Sequence, residues 1–102
     1  MSEDFVKKAI QSPVVVFSKT YCPFCTRVKK IFSEAGVKDL YVIELDERDD
    51  CSDVQDILLR MTGARTVPRV FIGGKSVGGS DEVAAMANKG TLKDALKQAG
   101  AI

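Results

Sequence analysis

Apolar residues recur along this chain with two periods, and the changes of period mark its elements. Phe5, Val6, Ala9 and Ile10 share one helical face, predicting a first helix from Ser2, its cap, to about Gln11. Ser12-Pro13 breaks it. Val14-Val15-Val16-Phe17 is an unbroken β-branched and aromatic run, the pattern of a strand covered on both faces. Ser18 to Tyr21 is a short loop. Helical spacing then returns with Val28, Ile31, Phe32 and Ala35, with Pro23 at the first helical position and Gly36 at the stop. Tyr41 to Leu45 predicts a second strand, and the charged run Asp46 to Asp50 an exposed connection. Ser52 and Gln55 form a capping-box pattern ahead of Val54, Ile57, Leu58 and Met61, and Thr62-Gly63 ends that helix.

Arg69 to Ile72 predicts a third strand. Gly73-Gly74 is a hairpin turn signal, and Lys75-Ser76-Val77 returns antiparallel until Gly78-Gly79 breaks it. Ser80 or Asp81 can cap a helix holding Val83, Ala84 and Ala87. After Asn88 to Gly90, Thr91 caps a last helix with Leu92, Ala95, Leu96 and Ala99. The order α-β-α-β-α-β-β-α-α joins an early β-α-β unit, which needs a parallel pair, to a late hairpin, which needs an antiparallel one. The predicted fold class is α/β: one four-stranded mixed sheet flanked by helices on both faces.

The chain has 102 residues, the size of one domain, here residues 1–102. Fifteen Lys and Arg against fourteen Asp and Glu leave a formal charge of +1, so no bulk field argues for nucleic acid or a membrane surface. No apolar run approaches the ~20 residues of a membrane span. The acidic start Met1-Ser2-Glu3-Asp4 lacks the layout of a secretion signal. Three cysteines are unlike a secreted disulfide framework. The expected setting is therefore a reducing compartment, the cytoplasm, for a protein expected to be monomeric.

The absence of histidine changes the chemistry most. It removes Ser-His-Asp and Cys-His hydrolases and any His-ligated metal from this chain. Against that background Cys22-Pro23-Phe24-Cys25 stands out. Half a zinc site would need two more thiols or imidazoles, and only Cys51 is left. The remaining reading is redox. Cys22 lies between a predicted buried strand and a helix N-terminus, where orphan N–H groups and the helix dipole favour thiolate over thiol. Lys19 and Arg27 are candidate cations nearby, with Lys29 and Lys30 read as surface charge. A C-x-x-C beside a β-α-β unit is the pattern of a thioredoxin-like redox motif. Cys22 is expected to be the exposed nucleophile. Cys25, one turn inside the helix, is expected to resolve a mixed disulfide, with a small buried core residue as the bland alternative. Cys51 has no motif partner and lies in an acidic, exposed-looking stretch, so it is taken as non-catalytic. Arg65 and Arg69 flank Thr66-Val67-Pro68, either to meet anionic substrates or to solvate the edge.

Three segments together carry a resemblance: Lys19-Thr20-Tyr21-Cys22-Pro23-Phe24-Cys25, then Thr62 to Ile72 around Thr66-Val67-Pro68, then Gly78-Gly79-Ser80-Asp81. In this order and spacing the chain resembles a dithiol glutaredoxin nearly end to end. Thioredoxins carry Trp-Cys-Gly-Pro-Cys at this site, and this chain has no Trp. The resemblance implies a glutathione-dependent thiol–disulfide oxidoreductase acting on glutathionylated proteins and small disulfides. It assigns Lys19 to a glutathione carboxylate and Phe24, where relatives often have Tyr, to the groove wall. Pro68 is expected to be cis, with Thr66 and Val67 beside it and the Val67 backbone pairing with the cysteinyl part of glutathione. Gly79, Ser80 and Asp81 would take the γ-glutamyl end: its carboxylate on backbone N–H groups, its amine on the Asp81 side chain. A plain helix cap fits the same residues. Gln55 is implied to contact the glycyl carboxylate, and the capping box remains its other reading. Some relatives instead share an iron–sulfur cluster between two chains. Pro23 is thought to disfavour that by stiffening the loop.

Overall fold

The computed structural model describes residues 1–102, and its architecture follows from the burial of one strand. β1 (Val14–Ser18) is buried at every position. A strand can be so only when it has neighbours on both edges and helices on both faces. It lies between β2 (Tyr41–Glu44) and β3 (Arg69–Ile72) in a sheet of order β2-β1-β3-β4, with β4 (Lys75–Gly78) at the far edge. β1 and β2 are parallel, as the crossover by α2 (Pro23–Glu34) requires. β1–β3 and β3–β4 are antiparallel.

Alternation along β1 and β3 divides the core in two. Val15, Phe17 and Phe71 face α1 (Ser2–Ala9) and α3 (Cys51–Thr62), where they meet Val6, Ala9, Val54, Ile57 and Leu58. The Phe17 and Phe71 rings meet edge to face at 5.9 Å, which adds about 0.5–1.5 kcal/mol beyond their buried area. Val14, Val16, Val70 and Ile72 face α2, α4 (Ser80–Lys89) and α5 (Thr91–Gln98), packing on Val28, Phe32, Val83, Leu92 and Leu96. No helix is long and apolar enough to cross a membrane. The register Phe17↔Arg69 sets the C-terminal end of β1 beside the N-terminal end of β3. The loop carrying Cys22 and the loop carrying Val67 therefore open at the same edge.

The predicted sheet, hairpin and helix order are present, and the departures lie at ends and caps. The first helix stops at Ala9, and Ser2 is inside it rather than capping it. Its hydroxyl instead donates to Asp50 Oδ2 at 2.8 Å. β2 stops at Glu44, and buried Leu45 opens a 3-10 turn, Leu45–Glu47. The Ser52–Gln55 capping box does not form, because α3 starts at Cys51 and Ser52 is already helical. The Asp50 side chain at the head of α3 does not cap either, since its carboxylate is taken by Arg48 at 2.8 and 3.0 Å. Met61, expected inside, is 43% exposed, one turn beyond the last core residue Leu58. Ala87, also expected inside, is exposed. Gly79 precedes α4 and Gly90 precedes α5, where Ser80, Asp81 and Thr91 were expected to cap.

Candidate active site

Cys22 is the residue just before α2, with extended backbone angles (φ −91°, ψ 113°) and Pro23 entering the first turn. This aims the Cys22 sulfur back over the helix end, where the Cys25 N–H donates to it at 3.3 Å. The Cys22 N–H donates to the Lys19 carbonyl at 3.1 Å. The loop before it is held from the side by Asp46: the Thr20 N–H donates to Oδ1 at 3.0 Å and the Thr20 hydroxyl to Oδ2. Those two donors, hydroxyl first, hold the Asp46 carboxyl below its usual range.

The two thiols are unequal. Cys22 is half-buried, while Cys25 is fully buried. Desolvation, then its hydrogen bond with Cys22, pushes the Cys25 thiol up. Cys25 is thus a protonated thiol at neutral pH. Its sulfur is sealed beneath α2, while that of Cys22 lies 3.9 Å from the Val67 carbonyl oxygen.

From Val67 a shallow groove of about 300 Å³ runs to the head of α4. Phe24, Thr66, Val67, Pro68, Arg69, Gly79, Ser80, Asp81 and Glu82 line it. The Val67–Pro68 bond is cis. The first N–H groups of α4 have no partner within their helix and face this end of the groove. The Gly79 N–H is satisfied by Glu82 Oε1 at 2.6 Å. Gly79 itself is required by a close approach: a Cβ there would lie 3.1 Å from the Pro68 carbonyl oxygen and 2.7 Å from Arg69 Nη2. Exposed Tyr21 and Phe24 flank the Cys22 side. A larger groove of about 580 Å³ lies between α2, α4 and α5 and contains neither thiol.

The fold thus brings together Cys22, Cys25, Phe24, Thr66, Val67, Pro68, Gly79, Ser80 and Asp81 from three distant stretches. Two expected residues do not line the groove. Lys19 is half-buried beside it and contributes its carbonyl to Cys22. Gln55 donates from Nε2 to the Arg65 carbonyl at 2.9 Å and accepts from the Cys51 thiol at 3.4 Å. Cys51, expected to be exposed, is half-buried against the α1–α3 core. Arg65 pairs with Asp56 at 3.1 Å, and Arg69 reaches the groove. Arg27 was expected near the Cys22 sulfur. Its hydrogen bonds run instead to Ser80 Oγ (3.1 Å) and Asp81 Oδ1 (3.4 Å). Asp46 and Glu82 were missed. Asp46 was hidden in a charged run. Glu82 carried a readable signal, an acid three residues after Gly79, but a glycine has no side chain to announce a cap.

Residues 14–77 match the family model described as Glutaredoxin. The chain belongs to the glutaredoxin family. Glutaredoxin-C6 of rice is 53% identical over 91 residues, covering 89% of this chain and 80% of the relative. A glutaredoxin of Ricinus communis is 53% identical over 89 residues, covering 87% and 86%. Among solved structures, the buckwheat glutaredoxin–glutathione complex superposes with a TM-score of 0.96 at 46% identity, covering 100% of this chain and 93% of that one. Glutaredoxins are glutathione-dependent thiol–disulfide oxidoreductases. That is the activity of this enzyme, and glutathione is its co-substrate.

Proposed function

We propose that this glutaredoxin removes glutathione from protein mixed disulfides through Cys22, with the groove from Val67 to Asp81 seating the tripeptide. One observation carries the reading. The accessible sulfur of Cys22 stands 3.9 Å from the Val67 carbonyl, at one end of a groove whose other end is a helix N-terminus. In the first step Cys22, as thiolate, attacks the glutathione sulfur of the mixed disulfide. That S–S bond breaks, the protein thiolate leaves and takes a proton, and Cys22 holds glutathione as a disulfide. A second glutathione thiolate attacks the same glutathione sulfur, releasing glutathione disulfide and the Cys22 thiolate. Burial and the raised Cys25 thiol favour this one-thiol route for small disulfides. Cys25 enters when it loses its proton and attacks Cys22, expelling glutathione and closing a Cys22–Cys25 disulfide that two further glutathiones reduce.

The roles within the groove follow from its chemistry. The cysteinyl part of glutathione pairs with the Val67 backbone as an added strand would. The γ-glutamyl carboxylate lies on the N–H groups of Ser80 and Asp81, and its amine meets the Asp81 carboxylate. Thr66, Pro68, Gly79 and Phe24 shape the walls. Lys19, in the loop that delivers Cys22, is a cation for the glycyl carboxylate. We place the protein in the cytoplasm as a monomer; the compartment is supported by a cysteine count of three, unlike a secreted disulfide framework. The test is glutathione-coupled turnover of a glutathionylated peptide by wild type and the two serine variants. Cys25→Ser keeps most of the activity and Cys22→Ser has none; an active Cys22→Ser protein overturns the assignment.

A further inference from the structure

We propose that Arg27 is a specificity residue of this enzyme, reading the α-carboxylate at the γ-glutamyl end of glutathione. The inference rests on the reading above that the head of α4 takes that end. Arg27 lies on α2, the helix that Cys22 precedes and Cys25 sits in, and reaches across to α4. Its Nη1 donates to Ser80 Oγ at 3.1 Å and to Asp81 Oδ1 at 3.4 Å. Ser80 is buried, so that contact fixes where the guanidinium sits. The contact with Asp81 is different. It is long, and the Asp81 side chain is 88% exposed, so water screens the pair and it exchanges easily.

The guanidinium has five N–H donors, and only Nη1 bonds to protein. Arg27 lines the neighbouring groove between α2, α4 and α5 and meets the α4 head through Ser80 and Asp81, whose own N–H groups have no partner within the helix. One small area therefore presents a cation with spare donors, free backbone donors and an exposed carboxylate. A single charge would satisfy half of this and leave the other half unmatched. A group with ammonium and carboxylate on one carbon satisfies both: the ammonium on Asp81, the carboxylate on the α4 N–H groups and the Arg27 fork. The γ-glutamyl end of glutathione is such a group, whereas an ordinary α-linked peptide terminus is not. In the free enzyme Arg27 holds Asp81 loosely, and on binding it transfers to the ligand carboxylate while Asp81 turns to the amine.

The test uses three peptide mixed disulfides: with glutathione, with 4-aminobutyryl-cysteinylglycine, which lacks only the α-carboxylate, and with glutaryl-cysteinylglycine, which lacks only the amine. Single-turnover attack by wild type, Arg27→Gln and Arg27→Lys gives a half-saturating concentration and a limiting rate for each. Arg27→Gln is expected to raise half-saturation for the glutathione disulfide about tenfold, as loss of one partly exposed charged hydrogen bond does, with the limiting rate nearly unchanged. It leaves the 4-aminobutyryl disulfide unaffected, because that ligand has no carboxylate to lose contact with. It weakens the glutaryl disulfide as it weakens glutathione. Arg27→Lys falls between wild type and Arg27→Gln on glutathione, which separates recognition from a folding defect. If Arg27→Gln weakens the glutathione and 4-aminobutyryl disulfides equally, or neither, the proposal is overturned while the α4 site stands. If wild type does not distinguish the three ligands, the α4 site falls and the proposal with it.

Discussion

Replacing Gly79 by alanine adds a methyl group where two walls of the groove come closest. The Gly79 backbone (φ −115°, ψ −152°) is open to any residue, so the cost is contact alone. The new carbon would meet Arg69 Nη2 at 2.7 Å and the Pro68 carbonyl oxygen at 3.1 Å. The arginine tip can swing away cheaply. The carbonyl is backbone and must retreat by a few tenths of an ångström, carrying Val67 with it. Such overpacking costs about 1–2 kcal/mol. In a domain of this size that lowers Tm by roughly 4–15 °C. Because Val67 faces the Cys22 sulfur, the same retreat raises KM for a glutathionylated peptide several-fold. Gly63→Ala is the control. Gly63 has φ +85° and nothing within 4 Å, so alanine there costs about 1–2 kcal/mol of backbone strain without touching a groove wall. Thermal melts and steady-state turnover on both variants separate the two effects. The reasoning fails if Gly79→Ala matches wild type in Tm and KM, or if Gly63→Ala raises KM equally.

Acid stability should depend on Asp50. Arg48 at 2.8 Å, with Ser2 behind it, draws its carboxyl from 3.8 to about 2, so the stabilisation is complete above about pH 4 and lost as pH falls through about 2. Both side chains are partly exposed, so the screened value is about 1–2 kcal/mol. Asp50→Asn lowers stability at pH 7 and flattens denaturant-measured stability across that window; an unchanged acid slope refutes it. The thiols should also part in alkylation. With iodoacetamide at pH 7, Cys22 reacts and Cys25 does not until the protein unfolds, and in Cys22→Ser the Cys25 reaction rises only above the usual thiol range because burial is the larger cause of its shift. Equal labelling of both thiols in the folded protein, read by peptide mass, contradicts the buried placement.

What the sequence shows plainly is what local pattern determines. The run Val14 to Phe17 can be satisfied only between two layers, and Pro23 after Cys22 fixes both a helix start and the thiol at its head. Caps were read less well, because a hydroxyl chooses its partner in three dimensions. Ser2 had no visible reason to prefer Asp50, forty-eight residues away, over its own helix. Ser52 looked like a cap because the run Asp46 to Asp50 hid a buried Leu45 turn and an early helix start. In the site, motif residues came together as expected, while the residues that brace them did not announce themselves. Arg27 read as a cation for the Cys22 sulfur and Asp46 as part of an exposed charged run, until the tertiary fold set Arg27 against Ser80 and Asp46 against Thr20. Gln55 shows the converse: its position suggested a ligand contact, and in the free protein its amide holds the Arg65 carbonyl.

The pairing of β1 with β3 has a further consequence. Both sulfurs arrive within the first quarter of the chain, but the carbonyl opposite Cys22 and the head of α4 come only after the sheet has closed through Phe17↔Arg69. A nascent or truncated chain would thus carry reactive sulfur with nowhere to seat a tripeptide. Turnover becomes a readout of completed assembly, and two fragments severed at Gly73-Gly74 should regain it only on reassociation.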